Sequence, residues 1–371
     1  MRVSDYIANF LKEKGVNDVF MLTGYGAMYL NDAIKLSGIN YYATRNEATA
    51  PIMAESYARV KNKVGIACVT AGPGSTNALP GLAEAFVDSA PIIVISGQVD
   101  YKHTTHSTKL KNIRTFGTAE INIIPIVKPL TKFAEILKNP NDVRYIMEKA
   151  FFLSTNGRPG PVWIDIPLDV QKAEVKKNLL KPFIKNKINL NRNKLKKDID
   201  KALVLLKKSS KPLLVVGNGV KQSKTIGDLK KLIKKTKIPT IFSRFGHDLI
   251  SHDNKHIMGQ AGIKGSRFCK KIMNQSDLVL SLGCRLAPQF VGHNFKAFSN
   301  AKVISVDVEK DELIKKGQKI DLKLNYDLKE FFPKFIGSLK NLNFNKYKNW
   351  TDYCEKLKKN NPIINEKHKK N

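Results

Sequence analysis

The stretch VTAGPGSTNALPG, residues 69–81, ends an apolar run, turns on glycine and proline, and opens a helical pattern. The run before it, VGIACVT (64–70), reads as a buried strand, and the segment near 76–88 reads as a helix. Gly72 and Gly74 permit close backbone approach. The free N–H groups of a helix start suit an anion or a polar ring edge. No GK[ST] follows, so this is not a phosphate-binding P-loop.

Working outward, the same alternation fills residues 1–170. MRVSDYIANFLKEKG is an amphipathic helix with Val3, Ile7, Phe10 and Leu11 on one side. DVFMLTG (18–24) reads as strand into turn, and AMYLNDAIKLSG (27–38) as a helix stopped by Gly38. YYATR then reads as a buried strand, followed by an alanine-rich helix to about Val60. PIIVISG (91–97) is a strand, 141–154 a helix and GPVWIDIP (160–167) a strand, with an irregular region between. Continuous apolar strands interleaved with helices predict a parallel sheet covered on both faces. QKAEVKKNLLKPFIKNKINLNRNK (171–194) is polar and basic and reads as a linker. A second α/β pattern fills 195–336: a helix at 195–208, then strands in PLLVVGNGV (212–220), IPTIFSRFG (238–246), SDLVLSLGCR (276–285) and KVISVDV (302–308). The expected class is α/β with two doubly wound parallel-sheet domains. Residues 337–371 read as a basic tail, with Trp350, Tyr353 and Leu357 on one helix face.

The formal net charge is +32, yet residues 1–170 carry only +3 of it. Just 10 of the 64 basic residues are arginine, the residue suited to forked contacts with phosphate and bases. With no zinc finger, RNP-like aromatic pattern or basic heptad helix, nucleic acid is not the expected partner. No uncharged apolar run has the length of a membrane span. The four cysteines form no CxxC, which favours a reducing cytoplasm over a disulfide framework or a cysteine zinc site.

Single residues carry less. Glu47, between strand and helix, fits three roles: a charge at the helix N-terminus, a solvated loop acid, or a ligand-facing acid. Gly24–Gly26, Glu47 and Gly72–Asn77 all fall at carboxyl ends of predicted strands, where open α/β sheets bind ligands. Gly217 and Gly219 form a GNG turn that does not complete GxGxxG. Arg285 and Asp307 end or follow further strands. HTTH (103–106) lacks a third metal ligand and reads as a loop feature; no metal site is expected.

The order of motifs carries more. VFMLTGYGAMYLNDAI, the RNE of 45–47, VTAGPGSTNALPG, DSAPIIVISGQV, IVKPLTKFA and GRPGPVWIDIPLDVQ together resemble thiamine-diphosphate enzymes. The likeness is strongest to acetolactate synthase large subunits and their relatives that act in sugar and surface-polysaccharide pathways. The likeness runs through 1–175 and continues through GQAGIKGS, SDLVLSLGCR and ISVDVEKDEL. It implies a pyrimidine-binding domain over 1–170, a central Rossmann-like domain over 195–336, and decarboxylation and carboligation of a 2-keto acid. The matching carboxylate, Glu47, would hydrogen-bond the aminopyrimidine N1′ of thiamine diphosphate. Gly24, Tyr25, Thr70, Pro73 and Asn77 would line that half of the cofactor. Gly217, Gly219, Arg285 and Asp307 would lie near FAD where relatives bind it. A homodimer follows by the same likeness.

The departures are specific. Asn46-Glu47-Ala48 stands where relatives have His-Glu-Gln, and Ala119 where a glutamine is expected. The family's GDG…N motif, which holds magnesium and the diphosphate on a third domain, is not in this sequence. WTDYCEKLKKNNP (350–362) resembles the linker leading to that domain. The expectation is a partial chain completed by a separate diphosphate-binding chain. The alternative is a catalytically inactive binding or assembly remnant.

Overall fold

A computed structural model of the chain describes residues 1–108, 110, 112–185, 191–340 and 342–362. It divides into two compact units, one reaching residue 187 and the other beginning at 188.

The first unit holds a six-stranded sheet of β1 (Asp18–Met21), β2 (Asn40–Ala43), β3 (Gly65–Val69), β4 (Ile92–Gln98), β5 (Phe133–Ile136) and β6 (Val162–Pro167), ordered 2-1-3-4-6-5. Every pairing is parallel. Each strand therefore needs a crossover, and the crossovers lay helices on both faces. Alternate side chains feed two cores. Val19, Ile66, Ile93 and Ile164 meet the helices Val3–Glu13 and Val143–Thr155. Phe20, Ala67, Val94 and Trp163 meet Thr49–Lys61 and Leu79–Asp88. The alanine richness of 48–58 has a packing cause. Ala50, Ala54 and Ala58, four apart on Thr49–Lys61, are buried and let that helix approach closely.

The second unit holds β7 (Pro212–Val216), β8 (Thr240–Phe242), β9 (Ile257–Gln260), β10 (Leu278–Leu282), β11 (Lys302–Asp307) and β12 (Leu322–Asn325). Its strands lie 12-11-10-7-8-9 and are also parallel throughout. Numbered from β7 as one, this is the 3-2-1-4-5-6 order of dinucleotide-binding folds.

Four expectations change. Residues 40–43 form an exposed edge strand, not a buried one; Tyr41 and Tyr42 are 47% and 46% exposed. The 171–194 segment is largely structured. Gln171, Val175 and Leu180 are buried in the first unit, and Arg192 already begins the helix Arg192–Lys208; residues 186–190 lie outside the described residues. The 337–362 stretch belongs to the second unit, where Leu339, Tyr347, Trp350 and Cys354 are buried. The region between β4 and β6 contains β5, whose half-buried FAEI carries no continuous apolar run. All four cysteines are free and buried. Among the described residues, no helix is long and apolar enough to cross a membrane.

Candidate functional site

The chain order of the first sheet reverses between β1 and β3, and ligands of open α/β sheets bind beyond the strand ends at such a point. Three strand ends meet there. After β1, the Gly26 N–H donates to Thr70 Oγ1 at 3.1 Å, joining the 24–26 turn to the end of β3. Thr70 in turn accepts at its carbonyl from Ser75 Oγ at 2.6 Å, which ties the glycine turn back on itself. After β2 comes Glu47. Its Oε2 accepts from Asn77 Nδ2 at 3.2 Å.

The helix beginning at Thr49 has no side-chain cap hydrogen bond, and the Ala48 N–H is met by Asn46 Oδ1 at 2.8 Å. Glu47 is therefore not the helix cap. Pro51 sits in the first turn of that helix, where the missing N–H has no partner to lose. Glu47 is half-buried in this chain on its own.

Gly74 joins the parts. A Cβ there would lie 3.2 Å from Glu47 Oε1 and 2.5 Å from Thr70 Cγ2, so the bare backbone leaves a cradle beside the second carboxylate oxygen. Gly72 takes φ +60°, and a Cβ on it would come within 1.7 Å of the Ala119 carbonyl oxygen. Only glycine fits. Ala119 itself is left-handed, at φ +55°. The segment after β4 thus covers this turn with backbone, and residue 119 offers no polar side chain. Pro73 is exposed at the head of the short helix Pro73–Asn77, and Tyr25 is 67% exposed. Gly74 is expected from the sequence to allow close backbone approach; the Ala119 carbonyl is the part that sequence reading leaves out of the site, because a close approach of two backbones has no side-chain signature.

In the second unit the reversal lies between β7 and β10. The Gly217 N–H donates to Leu282 O at 3.0 Å and the Gly219 N–H to Gly283 O at 3.1 Å. A Cβ on Gly217 would meet Gly283 O at 2.1 Å. The GNG turn is thus pressed onto the neighbouring strand end. Arg285 Nε donates to Glu312 Oε1 at 3.1 Å, and Asp307 Oδ1 accepts from the Glu309 N–H at 2.9 Å. His103 and His106 lie in two successive short helical turns. Among the described residues no group of three or more His, Cys, Asp or Glu could hold a metal ion.

Comparison with known proteins gives the family. Residues 1–118 match the thiamine pyrophosphate enzyme N-terminal TPP binding domain, and residues 199–335 match the central domain of the same enzymes. The chain belongs to the thiamine pyrophosphate enzyme family. Within it, the chain is similar to acetolactate synthase large subunits. It is 32% identical to that of Haemophilus influenzae over 91% of this chain and 57% of the relative. It is 30% identical to the probable large subunit of Methanocaldococcus jannaschii, over 97% and 60%. Against the isozyme 2 large subunit of Escherichia coli it is 28% identical, over 96% and 62%. The chain therefore spans about 60% of the length of these relatives. The N-terminal match contains Glu47, the glycine turn and Asn77; the central match contains Gly217, Gly219, Arg285 and Asp307.

Proposed function

We propose that this chain supplies the pyrimidine-binding and central parts of an acetolactate-synthase-like transferase acting on a 2-keto acid. One observation carries the reading: the Glu47 carboxylate is held by Asn77 through Oε2, and its Oε1 borders a cradle kept open by Gly74. A flat nitrogen heterocycle fits there, and a thiamine pyrimidine presents the ring nitrogen such an acid would grip. When bound, thiamine diphosphate supplies an electron sink for the decarboxylated carbonyl carbon.

The rest is the work of this chain's residues. Glu47 holds and returns a proton at Oε1, and Asn77 fixes the plane of its carboxylate. Thr70, tied to the 24–26 turn, sets the wall opposite Glu47. Residue 119 contributes only its carbonyl, so orientation of the substrate carbonyl falls to groups other than its side chain. Magnesium and the diphosphate require donors that the sequence offers in no GDG…N motif, and we assign them to a separate diphosphate-binding domain or chain. In the second unit, the 3-2-1-4-5-6 order and the GNG turn support FAD binding near Gly217, Gly219, Arg285 and Asp307. A homodimer is supported by apolar side chains left exposed around the candidate pocket: Tyr25 at 67%, Met28 at 44% and Ile52 at 38%. Four unpaired cysteines support a reducing, cytoplasmic setting.

The test combines the full chain with a polypeptide carrying the diphosphate-binding domain, thiamine diphosphate and magnesium, and measures carbon dioxide released from pyruvate. Release that disappears in Glu47→Gln supports the reading. No release from any such pairing overturns it in favour of the inactive assembly remnant, which the bare alanine at 119 would suit.

A further inference from the structure

Beneath the segment that carries Ala119 lies a buried polar chain that the proposed chemistry does not use. Ser96 and Gln98 on β4 and Trp163 and Asp165 on β6 share one face of the sheet, all at most 2% exposed. Trp163 Nε1 donates to Ser96 Oγ at 2.8 Å, and Ser96 Oγ lies 2.5 Å from Asp165 Oδ1. Gln98 Nε2 donates twice: to Asp165 Oδ2 at 3.2 Å and to the Ile121 carbonyl at 3.0 Å. Its Oε1 accepts from the Val99 N–H at 3.0 Å. The amide thus spans from the sheet to the segment after it, with both N–H donors used and its oxygen engaged once.

Among the described residues no cation meets Asp165, and the charged group acting on it is Glu120. Glu120 is 1% exposed and is held by Thr105 Oγ1 at 2.9 Å and the Phe116 N–H at 3.3 Å. Beyond Glu120 stands His106, whose Nε2 is 2.7 Å from Lys138 Nζ. On β5 the residue opposite Asp165 is Ile136, which brings no charge.

We propose that Gln98 is a positioning residue: by bridging the Ile121 carbonyl to Asp165 it holds residues 112–121 so that the Ala119 carbonyl covers Gly72, and the hold is firm only while Asp165 keeps its proton. Hydrogen bonding alone favours the anion: Oδ1 accepts from Ser96 Oγ, which accepts in turn from Trp163, and Oδ2 accepts from Gln98. Against it stand the lost hydration of an acid 2% exposed and the neighbouring buried Glu120, with no cation at Asp165 among the described residues. Burial outweighs the hydrogen bonds and pushes Asp165 up to about 7. Opening the segment hydrates the acid and returns it toward its ordinary value, so rising pH must favour the open form. Glu120 lies on the covering segment, so the repulsion acts where the structure can yield.

The importance of this hold for catalysis rests on the pocket assignment above; the hold itself does not. The test uses the full chain with Trp350→Phe, which leaves Trp163 as the sole tryptophan of two. Emission of Trp163 and trypsin cleavage after the exposed Arg114 are followed from about pH 6 to about pH 9 without cofactor. Emission should titrate with a midpoint of about 7. The ratio of wild-type cleavage to that of Asp165→Asn at the same pH, in which trypsin's own pH dependence cancels, should rise about tenfold or more, and the emission of that variant should stay flat. Gln98→Met, similar in shape but without the amide, should be cut fast at both ends of the range. Flat wild-type signals, or Gln98→Met cut no faster than wild type near pH 6, overturn the proposal. Should Gln98→Met fail to fold, the comparison of wild type with Asp165→Asn decides alone. Neither signal involves thiamine, so failure here leaves the role of Glu47 standing, and a failed decarboxylation assay leaves this hold standing.

Discussion

Asn77 Nδ2 meets Glu47 Oε2 at 3.2 Å, thirty residues along the chain and from the end of a different strand. A carboxylate serving only as a helix charge would face its own first-turn N–H groups. This one faces away from them, toward the glycine turn. The contact fixes one carboxylate oxygen and presents the other to the cradle at Gly74.

Glu47→Gln keeps the shape and removes the proton-holding group. In the completed enzyme, carbon dioxide release from pyruvate should fall by about 10²- to 10⁴-fold, the usual worth of a positioned acid–base group. The melting midpoint of the chain should not move. Asn77→Ala should cost less, about tenfold, corresponding to one hydrogen bond to a charged group.

Gly72→Ala places a methyl group 1.7 Å from the Ala119 carbonyl oxygen at a φ of +60°. Backbone strain and overlap act together there, and the first unit should lose about 3 kcal/mol in urea unfolding. A midpoint within error of wild type would show that the covering segment does not press on this turn.

Asp165 gives a pH prediction with a definite sign. Its folded value is raised from 3.8 to about 7, so between those values the folded state binds the extra proton. Stability should therefore fall as pH rises from about 4 through about 7 and then level off, a loss of roughly 4 kcal/mol if Asp165 acts alone. Asp165→Asn, with its Oδ1 toward Gln98 and its Nδ2 toward Ser96, should flatten that slope in denaturant titrations at several pH values.

Gly217→Ala sets a methyl group 2.1 Å from the Gly283 carbonyl oxygen, where the ends of β7 and β10 touch. The second unit should lose about 2 kcal/mol or more through overpacking. The flavin uptake proposed for the second unit, read from visible absorbance, should be present in the wild-type chain and lost in Gly217→Ala.

The central strands could be read directly because burial on both faces demands unbroken apolar runs such as GIACV and LVLSL. The strands β5, β9 and β12 escaped for the opposite reason. FAEI, IMGQ and LKLN are short, stand at or beside sheet edges, and mix polar with apolar residues. In the candidate site, Glu47 and the turn through Asn77 could be set at strand ends because such turns carry distinctive residues, whereas Thr70 came from the family likeness alone. The Ala119 carbonyl could not, since it acts through backbone alone. The buried chain did leave a trace: Ser96 and Gln98 in VISGQ and Asp165 in VWIDIP are polar residues inside otherwise apolar strands. A polar group in such a run must find a partner, and that requirement marks a network before any coordinates exist.

The thiols make the molecule its own stopwatch. Cys68 lies in the first unit, and Cys269, Cys284 and Cys354 lie in the second. Burial pushes the first three up to about 12, 12 and 11, and raises the fourth as well. An alkylating reagent must wait for each region to open, because only the thiolate reacts and only exposure restores it. Mass-tagging against time would separate the opening rates of the two halves without any introduced label.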